Sequence, residues 1–598
     1  MHSSANCRTS RPRGARTEMR SCANRRVAVL AALALPVAAA ACSPTESVEP
    51  ADLVLRGGNV VTVDDALPSA EAIAIRGFEI VAVGSDREID RYVGPETERI
   101  ELEGRLAIPG FIDGHAHFLD LGQAKMILDL TRAATWQQIV DQVGAAAEQA
   151  KPGDWILGSG WHQEKWTEVP EPNLDGAPLH DPLSAVSPEN PVHLAHASGH
   201  AIFANEAALK LAGIDSNTPD PPGGTIVRDA GGRPTGLMRE SAEALIRKVM
   251  ERADLERPPQ EREAELKRQM ELAGWEALSK GITSVQDAGA SFDDIDRFKA
   301  WAQADALPVR LYVMVGLDES NEMLAQRLGD YRIIPEGNDF LSVRSIKRMV
   351  DGGLGAHGAW LLEPYTDMPD STGLVLDAPE DIEETGRIAI RYGFQLNTHA
   401  IGDRGNREIL DVYQRIFADN PSARDLRWRI EHAQHLDRED VPRFATLGVI
   451  ASMQGVHAAS DGPWLPKRLG EKRAGEISYV WRSLIDAGAV VTNGTDAPVE
   501  DIDPIASFHA SVTRKMANGE RFHPEQSMTR TEALRSYTID NAYAAFEEHL
   551  KGSITPGKLA DITVLSKDIL TIPLDEIPTA QVDYTIIGGT IAYSRTPN

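Results

Sequence analysis

Residues 109–118 read PGFIDGHAHF. On an extended strand successive side chains alternate between faces, so His115 and His117 point the same way with one small residue between them. Paired imidazoles are half of a metal site. They suit zinc, iron, nickel or copper once a few further ligands arrive from elsewhere in the chain. The same spacing also fits a solvated strand, and the remaining strands decide between the two.

Outward from this stretch, apolar strands alternate with helical segments, the pattern of a parallel α/β sheet. After a strand at 107–117, further strands are predicted at 281–288, 309–316, 342–352, 394–403, 427–434, 448–454 and 490–498. Eight strand–helix units close a (β/α)8 TIM barrel, whose active site lies at the C-terminal ends of the strands. His115 and His117 end the first of these strands, Lys347 lies in the fourth, His399 in the fifth, His432 in the sixth and Asp496 in the eighth. A purely structural barrel interior carries Val, Ile and Leu there. Any one of these histidines fits a buried, hydrogen-bonded role, but their recurrence at strand ends predicts a metal centre.

The chain ends have a different texture. ADLVLRGGNVVTVDD and AEAIAIRGFEIVAVGSD near the start, and ADITVLSKD and QVDYTIIGGTIAYS near the end, read as short strands broken by glycine turns. The expected organisation is therefore a β-sandwich from 51–106 and 553–598 beside a barrel domain spanning 107–552. Residues 118–280 form an insertion after the first barrel strand, rich in Trp and Gly and helical from about 238 to 280. Placed after a strand, it is expected to overhang the barrel mouth.

Of the 598 residues, 42% are hydrophobic and 25% charged, which is ordinary for a globular protein with a large core. The formal charge of −28 repels phosphate backbones, so nucleic acid is not expected as a partner. Residues 1–26 hold seven Arg against one acidic residue, and VAVLAALALPVAAAAC follows. This reads as a signal peptide over 1–41, with an apolar run too short to span a bilayer. The run ends at Cys42, which resembles a bacterial lipoprotein processing site; simple secretion is the alternative. Residues 42–50 are then a tether, and the expected location is the cell envelope outside the cytoplasm, with membrane contact only through a lipid on Cys42. Loss of 1–41 also removes Cys7 and Cys22, leaving Cys42 alone, so no thiolate cluster or intramolecular disulfide can form. Any metal must be held by His, carboxylate or another group made anionic.

At these residues the chain resembles the amidohydrolase superfamily, and more closely its amidohydrolase-3 branch, which includes YtcJ-like proteins and N-substituted formamide deformylase. The likeness is carried by PGFIDGHAHF (109–118), GHAIFANEAAL (199–209), GITSVQDAG (281–289), KRMVDGGLG (347–355), HAIGDR (399–404), RIEHAQ (429–434), GTDAPVE (494–500) and GSITPGKLADITVL (552–565). Two departures are Arg-Met-Val after Lys347, where apolar residues are more usual, and an extra His435 after the expected ligand.

The resemblance implies two divalent metals, zinc first with iron, manganese or nickel as alternatives. His115, His117 and Asp496 would hold one, His399 and His432 the other, and Lys347, carboxylated by CO2, would bridge them. An unmodified ammonium beside two dications is repelled, whereas a carbamate supplies two oxygen ligands and a negative charge; the alternative is a structural Lys347–Asp351 ion pair. A metal-bound water whose pKa falls from 15.7 toward about 7 provides hydroxide as the nucleophile. Asp496 then moves its proton to the leaving group, and a neutral imidazole, with His200 the candidate, stabilises the oxyanion. His457, Asp461 and Trp161 are candidate substrate contacts, with Trp166 beside Trp161, and His162 is expected to be solvated. The reading is a metal-dependent amidohydrolase acting on the C–N bond of a small amide, formamide or cyclic imide, with homodimerisation the default expectation. A mononuclear deaminase or esterase on the same fold is the alternative; from another class, a non-catalytic ligand-binding lipoprotein is a third.

Overall fold

A computed structural model describes residues 48–174, 176–316 and 319–595. The expected signal peptide, Cys42 and most of the tether lie outside the described residues.

All eight expected barrel strands form. They are β1 (Phe111–Ala116), β2 (Ile282–Ala290), β3 (Arg310–Val315), β4 (Leu341–Met349), β5 (Gln395–Ala400), β6 (Arg429–His432), β7 (Ile450–Gln454) and β8 (Val491–Gly494). Neighbours pair in parallel from β1 through β8 in sequence order. The sheet is that of a (β/α)8 TIM barrel. Its seam between β8 and β1 is closed by individual bonds. At the top, Asp496 N donates to His115 O and His117 N to Ala497 O, both at 2.7 Å. Lower down, the Asn541 amide donates to Ile112 O at 2.6 Å and Asn493 O at 2.7 Å. Gly114 is required here, because a Cβ would lie 2.3 Å from Asn541 Oδ1. Asp113 completes the seam by accepting from Thr495 Oγ1 at 2.6 Å.

The two chain ends meet in the sandwich as expected. Ile562–Leu565 pairs antiparallel with Leu106–Pro109 inside a six-stranded sheet, which faces a four-stranded sheet containing Leu53–Arg56 and Ala72–Arg76. Leu53, Leu55, Ile73, Ile75, Ile562, Val564 and Ile586 interdigitate between them. One boundary moves: the expected first barrel strand at 107–117 is two strands, and the chain crosses from sandwich to barrel at Gly110. A buried bidentate pair, Arg310 Nε to Asp561 Oδ2 at 2.7 Å and Nη2 to Oδ1 at 3.0 Å, ties β3 to the strand of the Ala-Asp-Ile-Thr motif.

The insertion builds its own six-stranded sheet, from Leu128–Asp129 to Pro234–Glu240. Its core of Trp136, Ile139, Trp161, Leu194 and Phe203 is separate from the barrel core. Residues expected to be helical from 238 continue this sheet to Glu240, and the helices begin at Ala244 and, after Pro258, at Pro259. Helix Pro259–Ser279 belongs to the barrel wall. It lies so close to helix Phe118–Ala124 that a Cβ on Gly122 would meet Gln269 O at 1.9 Å.

Candidate active site

Because β-strand side chains alternate, each barrel strand can aim a residue at the mouth from its last turn. His115, Lys347, His399, His432 and Asp496 are gathered there and buried, with His117 at the rim, its side chain 28% exposed. Asp496 lies at the centre, with Oδ1 3.2 Å from His117 Nε2 and 3.6 Å from His115 Nε2, and Oδ2 4.0 Å from His432 Nδ1. Lys347 Nζ is 3.3 Å from His115 Nε2. The His432 ring packs at 4.7 Å from that of His115 and 4.5 Å from that of His399. Two of these residues hold left-handed backbone, His432 at φ +71° and Asp496 at φ +60°. Such conformations cost on the order of 1–3 kcal/mol for a side-chain-bearing residue and cluster where geometry serves a site.

Hydrogen bonds fix the tautomers. His115 Nδ1 bonds the Glu431 carboxylate, which leaves its Nε2 to face Lys347 and Asp496, and His432 Nδ1 donates to Gln454 Oε1 at 2.8 Å. Glu431 is itself clamped by Arg429, whose Nε lies 2.6 Å from Oε1 and whose Nη2 lies 2.8 Å from Oε2. The whole of Arg-Ile-Glu-His is thereby used: the Glu orients a histidine of another strand and the Arg holds the Glu. Asp351 accepts from Ile401 N at 2.9 Å and from Trp360 N and Gly402 N at 2.8 Å. It makes no ion pair with Lys347, so the structural pairing weighed from the sequence is not formed.

Electrostatics favour neutral imidazoles at His115, His399 and His432, whereas at His117 burial opposes charge but the hydrogen bond to Asp496 raises the ring above its ordinary value. Burial, with Lys347 beside it, pulls His115 down to about 4, and burial holds His399 and His432 well below the usual histidine range. Burial opposes ionisation of Asp496, but the His117 hydrogen bond and surrounding imidazoles hold it well below the ordinary carboxylate value. Burial likewise lowers Lys347. Neutral imidazoles and a carboxylate are the donor set a divalent ion requires. His399 Nε2 and His457 Nε2 are buried without a hydrogen-bond partner among the described residues. The residues present therefore fit such an ion. Among the described residues, two donor groups have ligand atoms mutually within 4.8 Å: His115, His117 and Asp496, and His432, His457 and Asp496. His457 thus stands nearer a ligand position than a substrate contact, and His399 lies outside both groups.

The insertion supplies His200. Its ring is 5.3 Å from that of His399, and Nδ1 lies 2.9 Å from Glu240 Oε2. Burial opposes charge on His200, but Glu240 overrides it and raises the imidazole to about 9. The neutral donor expected from the sequence is corrected: with Nδ1–H given to Glu240, Nε2 donates only as the imidazolium. Two cavities meet at His200, His432 and Asp496. One, of about 510 Å³, runs under the insertion past His117, Lys347, His399 and Glu243. The other, of about 60 Å³, is lined by His162, Leu354, Gln434, His457, Asp461 and Trp464.

The remaining expectations divide. Asp461 lines the smaller cavity, accepting from Tyr479 Oη at 2.5 Å. Trp161 does not reach either cavity: it is 1% exposed, its Nε1 donates to Leu194 O at 2.9 Å, and with Trp166 it packs in the insertion core. Leu157, Gly158, Ser159 and Gly160 of the same strand line the larger cavity, whereas Trp161 turns into the insertion core. His162 is not solvated but 6% exposed at the cavity wall, and burial pushes it down to about 3. His435 bonds Ser478 Oγ at 2.9 Å through Nδ1 and takes no part in the centre. Glu431, Gln454 and Glu240 were not singled out in advance. Glu431 lies within a quoted motif, whereas nothing in the sequence ties Glu240 to His200, forty residues away.

The pattern of the Amidohydrolase family matches residues 98–593. Protein LONG AFTER FAR-RED 3 of Arabidopsis thaliana is 35% identical over 561 residues, covering 91% of this chain and 92% of its own. YtcJ of Bacillus subtilis (strain 168) is 31% identical over 91% of this chain and 99% of its own. N-substituted formamide deformylase of Arthrobacter pascens is 28% identical over the same shares. Among solved structures, an uncharacterized metal-dependent hydrolase from Pyrococcus horikoshii OT3 has the same fold, with a TM-score of 0.69, 24% identity, and 88% of this chain and 99% of that one covered.

Proposed function

The chain belongs to the amidohydrolase family, and on that premise we propose that it cleaves a C–N bond in a small amide, formamide or cyclic imide. The observation that carries the reading is the gathering of His115, His117, Lys347, His399, His432 and Asp496 at one end of the barrel, with His115, His399 and His432 held neutral by burial beside a carboxylate. The likeness to a formamide deformylase supports the bond chosen.

His115, His117 and Asp496 would hold one divalent ion, zinc in the first instance. His432 with His399 or His457 would hold a second, and Lys347 would join them as a carbamate. Such ions would act as Lewis acids on a carbonyl oxygen and would make the proton of a water more acidic. Asp496, ionised at the junction of the two cavities, accepts that proton and returns it to the leaving nitrogen. His200 donates from Nε2 to the carbonyl oxygen as charge develops there. The insertion roofs the larger cavity and limits water around the substrate. Export, with acylation of Cys42, is carried in the same proposal and is checked by the mass of the mature N-terminus.

The test joins metal analysis to hydrolysis of 4-nitroformanilide and 4-nitroacetanilide by the purified protein. About two metals per chain, a native mass increment of CO2 lost in Lys347→Met, and release of 4-nitroaniline are expected. Asp496→Asn is expected to lower kcat by about a thousandfold or more, within the range assigned to positioned proton transfer. Hydrolysis surviving in that variant removes Asp496 from proton transfer.

A further inference from the structure

Glu240 has an unusual backbone and an unusual seat. It ends the insertion strand Pro234–Glu240 at φ +52° and ψ −133°, a region glycine adopts readily and side-chain-bearing residues rarely do. Its carboxylate is buried against the loop that follows β4. A Cβ on Gly352 would lie 2.1 Å from Glu240 Oε1, and one on Gly358 only 1.9 Å away. A third glycine of that loop, Gly353, makes room for His200, whose Cδ2 would meet a Cβ at 2.8 Å. The loop is thus shaped around a dyad that belongs to another part of the chain.

Glu240 grips His200 twice. Its backbone N donates to His200 O at 2.9 Å, and its Oε2 accepts from His200 Nδ1 at 2.9 Å. The second carboxylate oxygen, Oε1, is buried and has no hydrogen-bond partner among the described residues. A strained backbone and an unpaired buried oxygen both oppose folding. Docking the insertion requires neither, since glycine at 240 would relieve both. Holding His200 Nδ1 requires the carboxylate.

We propose that Glu240 is a positioning residue, kept in an unfavourable conformation so that the insertion delivers His200 to the barrel site with Nδ1 bound and Nε2 facing the reacting carbonyl. The inference rests on the reading of His200 as the group that meets the carbonyl oxygen. It makes the insertion a contributor to the chemistry as well as a roof.

The experiment compares the full-length protein with its Glu240→Gly and Glu240→Gln variants. Four readouts are needed: melting temperature, metal content per chain, the kcat and KM for 4-nitroformanilide, and the downfield proton resonance of the hydrogen-bonded His200 Nδ1–H, assigned by its loss in His200→Asn. Glu240→Gly is expected to melt no lower than the parent and keep its metal, yet lose that resonance. Its kcat is expected to fall by about 10- to 100-fold, as for other residues that orient an active group, with KM little changed. Glu240→Gln, which keeps an acceptor for Nδ1–H but not the charge that holds the imidazolium, is expected to recover the resonance while kcat stays low. A Glu240→Gly protein that melts lower and loses activity only in step with its folded fraction would make Glu240 a structural residue and overturn the proposal. So would unchanged kcat, or a resonance that survives. If the parent fails to hydrolyse the anilide, the reaction assigned above falls; the resonance and melting temperature of Glu240→Gly still decide whether Glu240 holds His200 at the expense of stability.

Discussion

The barrel and the insertion bring residues to the same centre by opposite means. In the barrel, the candidate metal ligands lie in or just past the strands, and their partners are other barrel residues: Glu431 for His115 and Gln454 for His432. The insertion reaches in through one strand end, where Glu240 at φ +52° holds His200 and three glycines of a barrel loop make the space. Regular strand ends define a site by repetition, whereas an inserted layer must dock one contact at a time. The barrel should therefore keep its centre when the insertion is loosened, and the reverse should not hold.

Acid is expected to give the largest effect and to separate the two regions. His162 and His196 in the insertion and His435 in the barrel are buried, and burial lowers them, His162 and His435 to about 3 and His196 well below its ordinary value. Their folded values lie under the unfolded value of about 6.5. The unfolded chain therefore takes up protons that the native chain refuses as pH falls through 6.5. Stability is full above that value and lost progressively on the way down. Between pH 6.5 and 5 each such histidine withdraws on the order of 2 kcal/mol. His193 of the insertion is lowered in the same way, and bound metal would keep protons from His115, His399 and His432 of the barrel, so hydrogen exchange of the metal-loaded protein at pH 5 should show the insertion sheet opening before the barrel strands.

Trp161→Ala comes next, at about 3–5 kcal/mol for removing a buried aromatic side chain. Trp161 packs among Trp136, Trp166 and Phe203, all within the insertion core. Limited proteolysis should then cut within 128–258 while the metal content of the barrel stays unchanged. Loss of metal in this variant would break the comparison, because the two regions would then fold as one unit. Glu431→Gln sharpens it from the other side. The insertion should remain intact while metal affinity falls about 10- to 100-fold, roughly 1.4–2.7 kcal/mol, because His115 loses the carboxylate that orients it. Metal titration against a competing chelator reads the change.

The same division separates what was legible in the sequence from what was not. Apolar runs alternating with helical segments located all eight barrel strands, and His115, His117, Lys347, His399, His432 and Asp496 follow from them as the polar residues in or just past those strands. Glu431 escaped notice although it stands beside His432, since alternation aims it away from its neighbour's target and only the closed barrel brings it to His115. In the insertion, composition misled. Trp161 in a Gly- and Trp-rich stretch looks like a pocket wall, but the local sheet turns it into a core, and His162 next to it becomes the cavity residue. The Glu240–His200 contact depends on strand pairing, on a left-handed residue and on glycines more than a hundred positions away, none of which has a local periodicity.

The smallest expected effect lies where the regions touch at the rim. Glu164 of the insertion accepts from Lys467 Nζ at 2.6 Å and Arg468 Nη2 at 3.2 Å, both on the short helix Leu465–Leu469 between β7 and β8. Lys467 is half exposed, and an exposed pair of this kind is worth about 0.2–1 kcal/mol. Arg468 is buried but keeps the Asp367 carboxylate and Gly355 O, the latter at 3.0 Å, so it is not stranded when Glu164 changes. Glu164→Gln should therefore cost no more than about 1 kcal/mol, and less as salt is raised. Glu164 donates its backbone N–H to His162 Nδ1 and holds Arg468 near the Trp464 ring, both lining the smaller cavity, so its substitution should act on substrate retention, raising KM with kcat nearly constant. A fall in kcat matching that of Glu240→Gly would mean that the rim contact, and not the glycine-cradled dyad alone, sets where the insertion places His200.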